Sequence, residues 1–240
     1  MSAPPRAVVV ADPAATAARR MAEAVRQGGH LVLSGGSTPR AAYEELAAVA
    51  VDWSSVTLWW GDERCVPTDD ERSNYGMTKA ALLDRLGDNQ PEVRRVEGER
   101  PPREAADAYQ ALMRDAFADA VPRFDFVLMG LGPDAHTASL FPGHEALEER
   151  ARTAVAVQEP GLAPWVPRVT LTPPVFAAAR EMLFLIAGED KADAVARAFA
   201  GEPRRDAPAS LVAPAEGSLT LVLDPAAAAG LPEGIEVTES

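Results

Sequence analysis

The stretch Leu31-Val32-Leu33-Ser34-Gly35-Gly36-Ser37-Thr38-Pro39 decides the fold. Its aliphatic triplet reads as a buried strand, its glycine pair as a tight turn, and the segment from Arg40 to about Val49 as a helix. The same alternation continues outward in both directions. Apolar runs of strand length occupy 7–11, 56–60, 124–131, 182–187 and 219–223, with shorter ones at 153–157 and 169–171. Helical patterns fall between them, over 13–27, 74–86, 103–120, 173–180 and 189–200. Asp12-Pro13 opens the first helix and Gly28-Gly29 closes it. Near-continuous apolar strands alternating with helices predict an α/β fold with a mainly parallel sheet and helices on both faces.

The 240 residues are expected to form a single domain spanning 1–240. The Pro- and Arg-rich connections at 98–103 and 201–208 separate no regions of different composition and read as surface loops. No repeat is visible, and low complexity is confined to 226–229. A net charge of −13 sets the chain against duplex nucleic acid and anionic membranes, but a few cations in a cleft still suit an anionic small molecule. One cysteine, Cys65, allows neither an intrachain disulfide nor a multi-cysteine metal site. The segment 1–6 carries no export signal, and the longest apolar runs fall short of the roughly 18 residues a membrane span needs. A cytoplasmic protein is expected, as a monomer or weak homo-oligomer.

Function should lie at the carboxyl ends of the strands. Four segments there carry unusual residues. In 34–39, Gly35 and Gly36 let a ligand approach the backbone, Ser37 or Thr38 can cap the helix, and the free N–H groups form an anion site; a plain capped turn has the same composition. In Trp59-Trp60-Gly61-Asp62-Glu63-Arg64, with Ser73-Asn74-Tyr75 beyond, Arg64 can bind phosphate or steady a developing negative charge, or simply join an ion pair in a solvated loop. In 130–144, His136 follows a strand in a turn of small residues and can exchange a proton near neutral pH, with Asp134 placed to orient it. Neither His136 nor His144 matches a common zinc spacing, and His30 reads as a turn residue. Finally, Arg168 and Lys191 precede a strand and begin a helix, and together with the glycine turn they can neutralise a phosphate.

Ser34-Gly35-Gly36-Ser37-Thr38-Pro39-Arg40, the run WWGDERCVP at 59–67 with SNYGM at 73–77, MGLGPDAHTASLFPGH at 129–144 and RVTLT at 168–172 closely resemble the 6-phosphogluconolactonase family, in order and spacing, over nearly the whole chain. The resemblance implies a modified Rossmann-like fold shared with glucosamine-6-phosphate deaminases. It also implies hydrolysis of 6-phospho-D-glucono-1,5-lactone without metal or organic cofactor. On that likeness His136 is the general base, Asp134 positions it and Arg64 stabilises the oxyanion. Gly35, Gly36, Ser37, Thr38, Arg168 and Lys191 hold the phosphate, and Asp62 and Asn74 contact hydroxyls or water. Ser139 lacks the G-x-S-x-G elbow of a serine nucleophile. One departure is Ala135, where the family usually has glycine between the aspartate and the histidine.

Two rivals share the phosphate cradle. A glucosamine-6-phosphate deaminase would carry a further carboxylate soon after its histidine, but none occurs here before Glu145. A non-catalytic sugar-phosphate sensor would adjoin a DNA-binding segment, and no basic helix–turn–helix pattern is present.

Overall fold

The computed structural model describes residues 5–118 and 120–238. The stretch 1–4, read above for an export signal, lies outside them, as does Asp119 within the expected 103–120 helix.

The strands are β1 (Arg6–Val9), β2 (Gly29–Leu33), β3 (Val56–Trp60), β4 (Asp62–Arg64), β5 (Glu92–Val93), β6 (Phe126–Met129), β7 (Ala154–Val157), β8 (Arg168–Leu171), β9 (Glu181–Ile186), β10 (Ser218–Leu223) and β11 (Glu236–Thr238). The helices are α1 (Pro13–Gln27), α2 (Ser37–Leu46), α3 (Asn74–Ala81), α4 (Pro102–Ala116), α5 (Pro173–Ala177), α6 (Ala192–Phe199) and α7 (Pro225–Ala228). Among the described residues, eight strands form one sheet in the order β11-β1-β10-β9-β6-β2-β3-β5, every pair parallel.

Strand side chains alternate between two cores because successive residues point to opposite faces. Leu31, Leu33, Leu58, Trp60, Phe126 and Leu128 join the face covered by α1 and α2. Val32, Trp59, Val127 and Met129 join the face covered by α4, α6 and the small sheet. The strands therefore read as unbroken apolar runs: both faces are dry.

Several expectations need correction. Asp62–Arg64, read as a rim loop, is a strand; β4, β8 and β7 form a separate antiparallel sheet. The short alternation there was too brief to register as a strand pattern. His30 lies in β2 rather than in a turn, and its Nδ1 accepts a hydrogen bond of 3.1 Å from Trp59 Nε1–H. The helix expected from Arg40 begins at Ser37, and the helix expected over 189–200 opens as a 3-10 turn before α6. The chain does not end its secondary structure at β10: the 226–229 alanines belong largely to α7, and β11 adds an edge strand.

Two buried tyrosines complete strands where pairing stops. β5 pairs only with Thr57 and Leu58, so Trp60 lies beyond its reach. The Tyr109 hydroxyl accepts from Trp60 N–H at 2.8 Å and donates to Trp60 C=O at 2.9 Å. Tyr43 does the same for Ser34, at 2.9 and 2.7 Å. Burial pushes both phenols upward, so they stay neutral donors. Tyr109→Phe leaves two buried backbone groups without partners and is expected to lower stability by about 1–3 kcal/mol, read from urea unfolding. An unchanged midpoint would contradict the role of the hydroxyl.

Candidate active site

β2 leads to β3 on one side of the sheet and β6 leads towards β9 on the other, and the two strands are neighbours. Their carboxyl ends therefore diverge at a switch point, where open α/β sheets hold ligands. A cavity of about 260 Å³ opens there. Of the residues expected at the site, all but Asp134 line it, and Asp134 stands against His136.

The β2–α2 turn forms one wall. Gly36, at φ +112°, is the residue that precedes α2, and no side chain caps the helix. Ser37 and Thr38, expected as candidate caps, therefore occupy the first turn of the helix instead. The N–H groups of Ser37 and Thr38 are first-turn donors, which a helix cannot satisfy internally. A β-carbon on Gly35 would lie 1.8 Å from Asn74 Oδ1, so glycine lets α3 close against this turn.

The β6 turn supplies the histidine. His136 Nδ1 lies 2.5 Å from Asp134 Oδ1, and the His136 backbone N–H donates to the same oxygen at 3.1 Å. Burial alone would raise the Asp134 carboxyl, but its hydrogen bond and charge contact with His136 outweigh that and hold it below the usual carboxylate range. With Nδ1 engaged, Nε2 is the ring nitrogen left for a ligand. Phe141 packs on the ring at a centroid distance of 4.7 Å. A β-carbon on Gly132 would fall 2.0 Å from His136 Nδ1, so the ring lies directly over that glycine. Ala135 is fully buried at φ +64°, the left-handed conformation that glycine adopts without cost.

The small sheet supplies the cations. Arg64 and Arg168 are directly opposite one another in the β4–β8 ladder, a like-charge pairing that opposes folding. Arg64 Nη1 donates to Arg72 C=O at 2.6 Å; Arg168 Nη2 donates to the carbonyls of Leu162 and Pro164 at 2.8 and 3.3 Å. The Nε atoms of both are buried without a hydrogen-bond partner. Arg168 also stacks over Phe141 at 5.1 Å. Lys191 reaches the cavity from the 3-10 turn after β9 and pairs with Asp190 at 3.1 Å.

Asp62 is nearly buried. Its Oδ1 accepts from Asn74 Nδ2–H at 3.1 Å and its Oδ2 from Ser139 Oγ–H at 2.5 Å. Ser139 is thus a buried donor to a carboxylate, in keeping with the lack of a nucleophile elbow around it. His144 Nδ1 accepts from Ala146 N–H at 3.1 Å and caps a short turn. Among the described residues no cluster of three or more histidine, cysteine or acidic side chains is placed to hold a metal ion.

Sequence reasoning gave Glu63 no role of its own and weighed Ser139 only as a nucleophile, not as the donor that holds Asp62. The two-residue period that places Asp62 and Arg64 on one face and Glu63 on the other would have exposed Glu63, had β4 been read as a strand. Replacing Ala135 with glycine should change unfolding stability by less than about 1 kcal/mol, because relief of the left-handed strain offsets both the lost burial of the methyl group and the entropy of the added glycine. A loss of about 2 kcal/mol or more in urea unfolding of Ala135→Gly would show that no strain is relieved there.

Residues 5–221 match the family described as glucosamine-6-phosphate isomerases/6-phosphogluconolactonase. A 6-phosphogluconolactonase of Homo sapiens is 41% identical over 204 residues, covering 82% of this chain and 79% of the relative. One from Streptomyces coelicolor is 39% identical over 227 residues, covering 89% and 86%. The structure of 6-phosphogluconolactonase from Trypanosoma cruzi superposes with a TM-score of 0.83 at 30% identity, covering 95% of this chain and 97% of that one. A monomeric glucosamine-6-phosphate deaminase shares the fold, with a TM-score of 0.80 at 20% identity. The turn after β2, the Asp-Ala-His turn after β6 and the paired arginines thus belong to a chain that is a member of the glucosamine-6-phosphate isomerase/6-phosphogluconolactonase family.

Proposed function

We propose that this chain, as a single domain over 1–240, hydrolyses 6-phospho-D-glucono-1,5-lactone to 6-phosphogluconate, the second step of the oxidative pentose phosphate pathway. The observation that carries the reading is the placement of a carboxylate-held histidine and two facing arginines around one cavity. The product has two anionic ends, a phosphate and a carboxylate, and the cavity offers three cations to receive them.

In this reading the first-turn N–H groups of α2, with Gly35, Gly36, Ser37, Thr38, Arg168 and Lys191, hold the 6-phosphate. The anchor brings the lactone carbonyl to His136 and makes the attack effectively unimolecular. His136 Nε2 takes a proton from water as the water oxygen bonds to C1. Asp134 keeps Nδ1 protonated and stabilises the imidazolium that forms. Arg64 faces the developing oxyanion. The C1–O5 bond then breaks, and the imidazolium returns its proton to the departing ring oxygen. The acid product ionises and releases a proton to solvent. Asp62 and Asn74 contact substrate hydroxyls or the attacking water. The scheme uses no metal or organic cofactor, and its setting is a cytoplasmic monomer or weak homo-oligomer. Among the described residues no helix is long and apolar enough to cross a membrane.

Purified protein should release acid from the lactone well above the spontaneous rate and release no ammonia from glucosamine 6-phosphate. The opposite pattern would favour a deaminase. Binding of 6-phosphogluconate with lactone opening at the background rate would favour a sensor. His136→Ala should lower kcat by about 10²–10⁴-fold while retaining 6-phosphogluconate binding; an unchanged kcat rejects the base assignment. Arg168→Ala should raise KM by about tenfold or more, against a change within about twofold for Arg72→Ala, whose side chain pairs with Asp70 outside the cavity. Equal effects would remove Arg168 from the anchor.

A further inference from the structure

One buried carboxylate in this region has no part in the chemical scheme yet holds the backbone of two residues that do. Glu63 is 2% exposed and points away from the cavity, between Asp62 and Arg64, which line it. Both its oxygens are saturated with donors. Oε1 accepts the backbone N–H groups of Arg64 and Asn74, each at 2.7 Å. Oε2 accepts Tyr75 N–H at 2.7 Å and Ser73 Oγ–H at 3.1 Å. Ser73 Oγ in turn accepts Gly76 N–H at 2.9 Å. The 72–75 turn is held a second time by Arg64, whose guanidinium donates to Arg72 C=O at 2.6 Å.

Two consequences follow from this arrangement. The N-terminus of α3 is already filled by an internal anion, whereas that of α2 has no side-chain cap. Of these two helix ends, that of α2 is the one left open to an outside anion. In addition, Arg64 and Asn74, which come from different elements, are registered to each other through one carboxyl group. We propose that Glu63 is the positioning residue of this site, an ionised strut that fixes Arg64 and Asn74 together and so sets the affinity for the anionic sugar phosphate. This rests on the lactonase reading for the identity of the ligand.

Only a carboxylate can accept from four donors; a protonated acid must turn an O–H towards one of them. Burial, with a smaller push from the neighbouring Asp62, raises the Glu63 carboxyl to about 7 against the pull of its backbone donors. The other titratable groups facing it are Cys65, on its own segment, and Tyr109 on α4; burial and Glu63 push the Cys65 thiol up to about 11. The strut therefore loses its charge as pH falls through the neutral range.

The test is calorimetric binding of 6-phosphogluconate to wild type, Glu63→Gln and Glu63→Asp between about pH 6 and pH 8.5, beside lactone hydrolysis. Glu63→Gln should bind about tenfold more weakly above neutral pH, with Glu63→Asp recovering part of the loss. The ratio of Glu63→Gln to wild-type Kd should grow as pH rises, because the glutamine variant gains no charge at this position; ionisation of the phosphate cancels in that ratio. A ratio near one, or one that is flat with pH, overturns the proposal. Should Glu63→Gln fail to fold, Ser73→Ala removes a single donor, and unchanged affinity in it overturns the strut equally. Wild type that binds 6-phosphogluconate but opens no lactone would overturn the lactonase reading while leaving the binding comparison to decide the role of Glu63.

Discussion

Two guanidinium groups facing each other across an antiparallel ladder are the constraint on which the site depends. Arg64 and Arg168 occupy opposed positions in β4 and β8, both line the cavity, and each keeps a buried Nε without a partner. Like charges in such a register weaken the sheet, and unpartnered buried donors weaken it further. The rest of the fold must hold this pair, and an anion between them would relieve it. The chain as a whole carries −13, so this cluster with Lys191 is a local positive mouth on an acidic molecule. Such a focus favours encounter with an anionic substrate that the average field would repel.

The scaffold holds the pair in place through polar struts as well as packing. Tyr43 and Tyr109 clip the ends of β2 and β3 at Ser34 and Trp60, just before the segments that enter the cavity. Glu63 ties β4 to α3, and Asp62 ties Asn74 to Ser139. Each strut is buried; those of Tyr43 and Glu63 join consecutive elements, whereas Tyr109 and Ser139 reach across 49 and 77 residues. The histidine turn is held separately by Gly132, by the Asp134 carboxylate and by the bond from Ala209 N–H to Ala135 C=O at 3.0 Å. The turn also meets the arginine side of the cavity, through Phe141, which packs on the His136 ring and under the Arg168 guanidinium, and through Ser139, which donates to Asp62.

The parallel sheet was legible because β2, β3, β6 and β9 are apolar on both faces. Their unbroken runs leave a helix or a buried strand as the only readings, and flanking glycines and prolines select the strand. The histidine and glycine turns were legible because strand ends concentrate small and polar residues. The second sheet was not legible: β4 is three charged or acidic residues long, and only its pairing with β8 makes it a strand. The struts were hidden for a related reason. Nothing local in Glu63, Tyr43 or Tyr109 announces a partner that lies on another element. The conformation of Ala135 was also unreadable, since alanine itself argues against a positive φ; the structure shows it there nonetheless.

The most direct measurement is a crystal structure with 6-phosphogluconate bound. The account places the phosphate against the N–H groups of Ser37 and Thr38 and the Arg168 guanidinium. It places the carboxylate beside Arg64 and within about 3.5 Å of His136 Nε2, near hydrogen-bond reach of the group it has just been formed by. A phosphate bound elsewhere, or a carboxylate remote from His136, would contradict it.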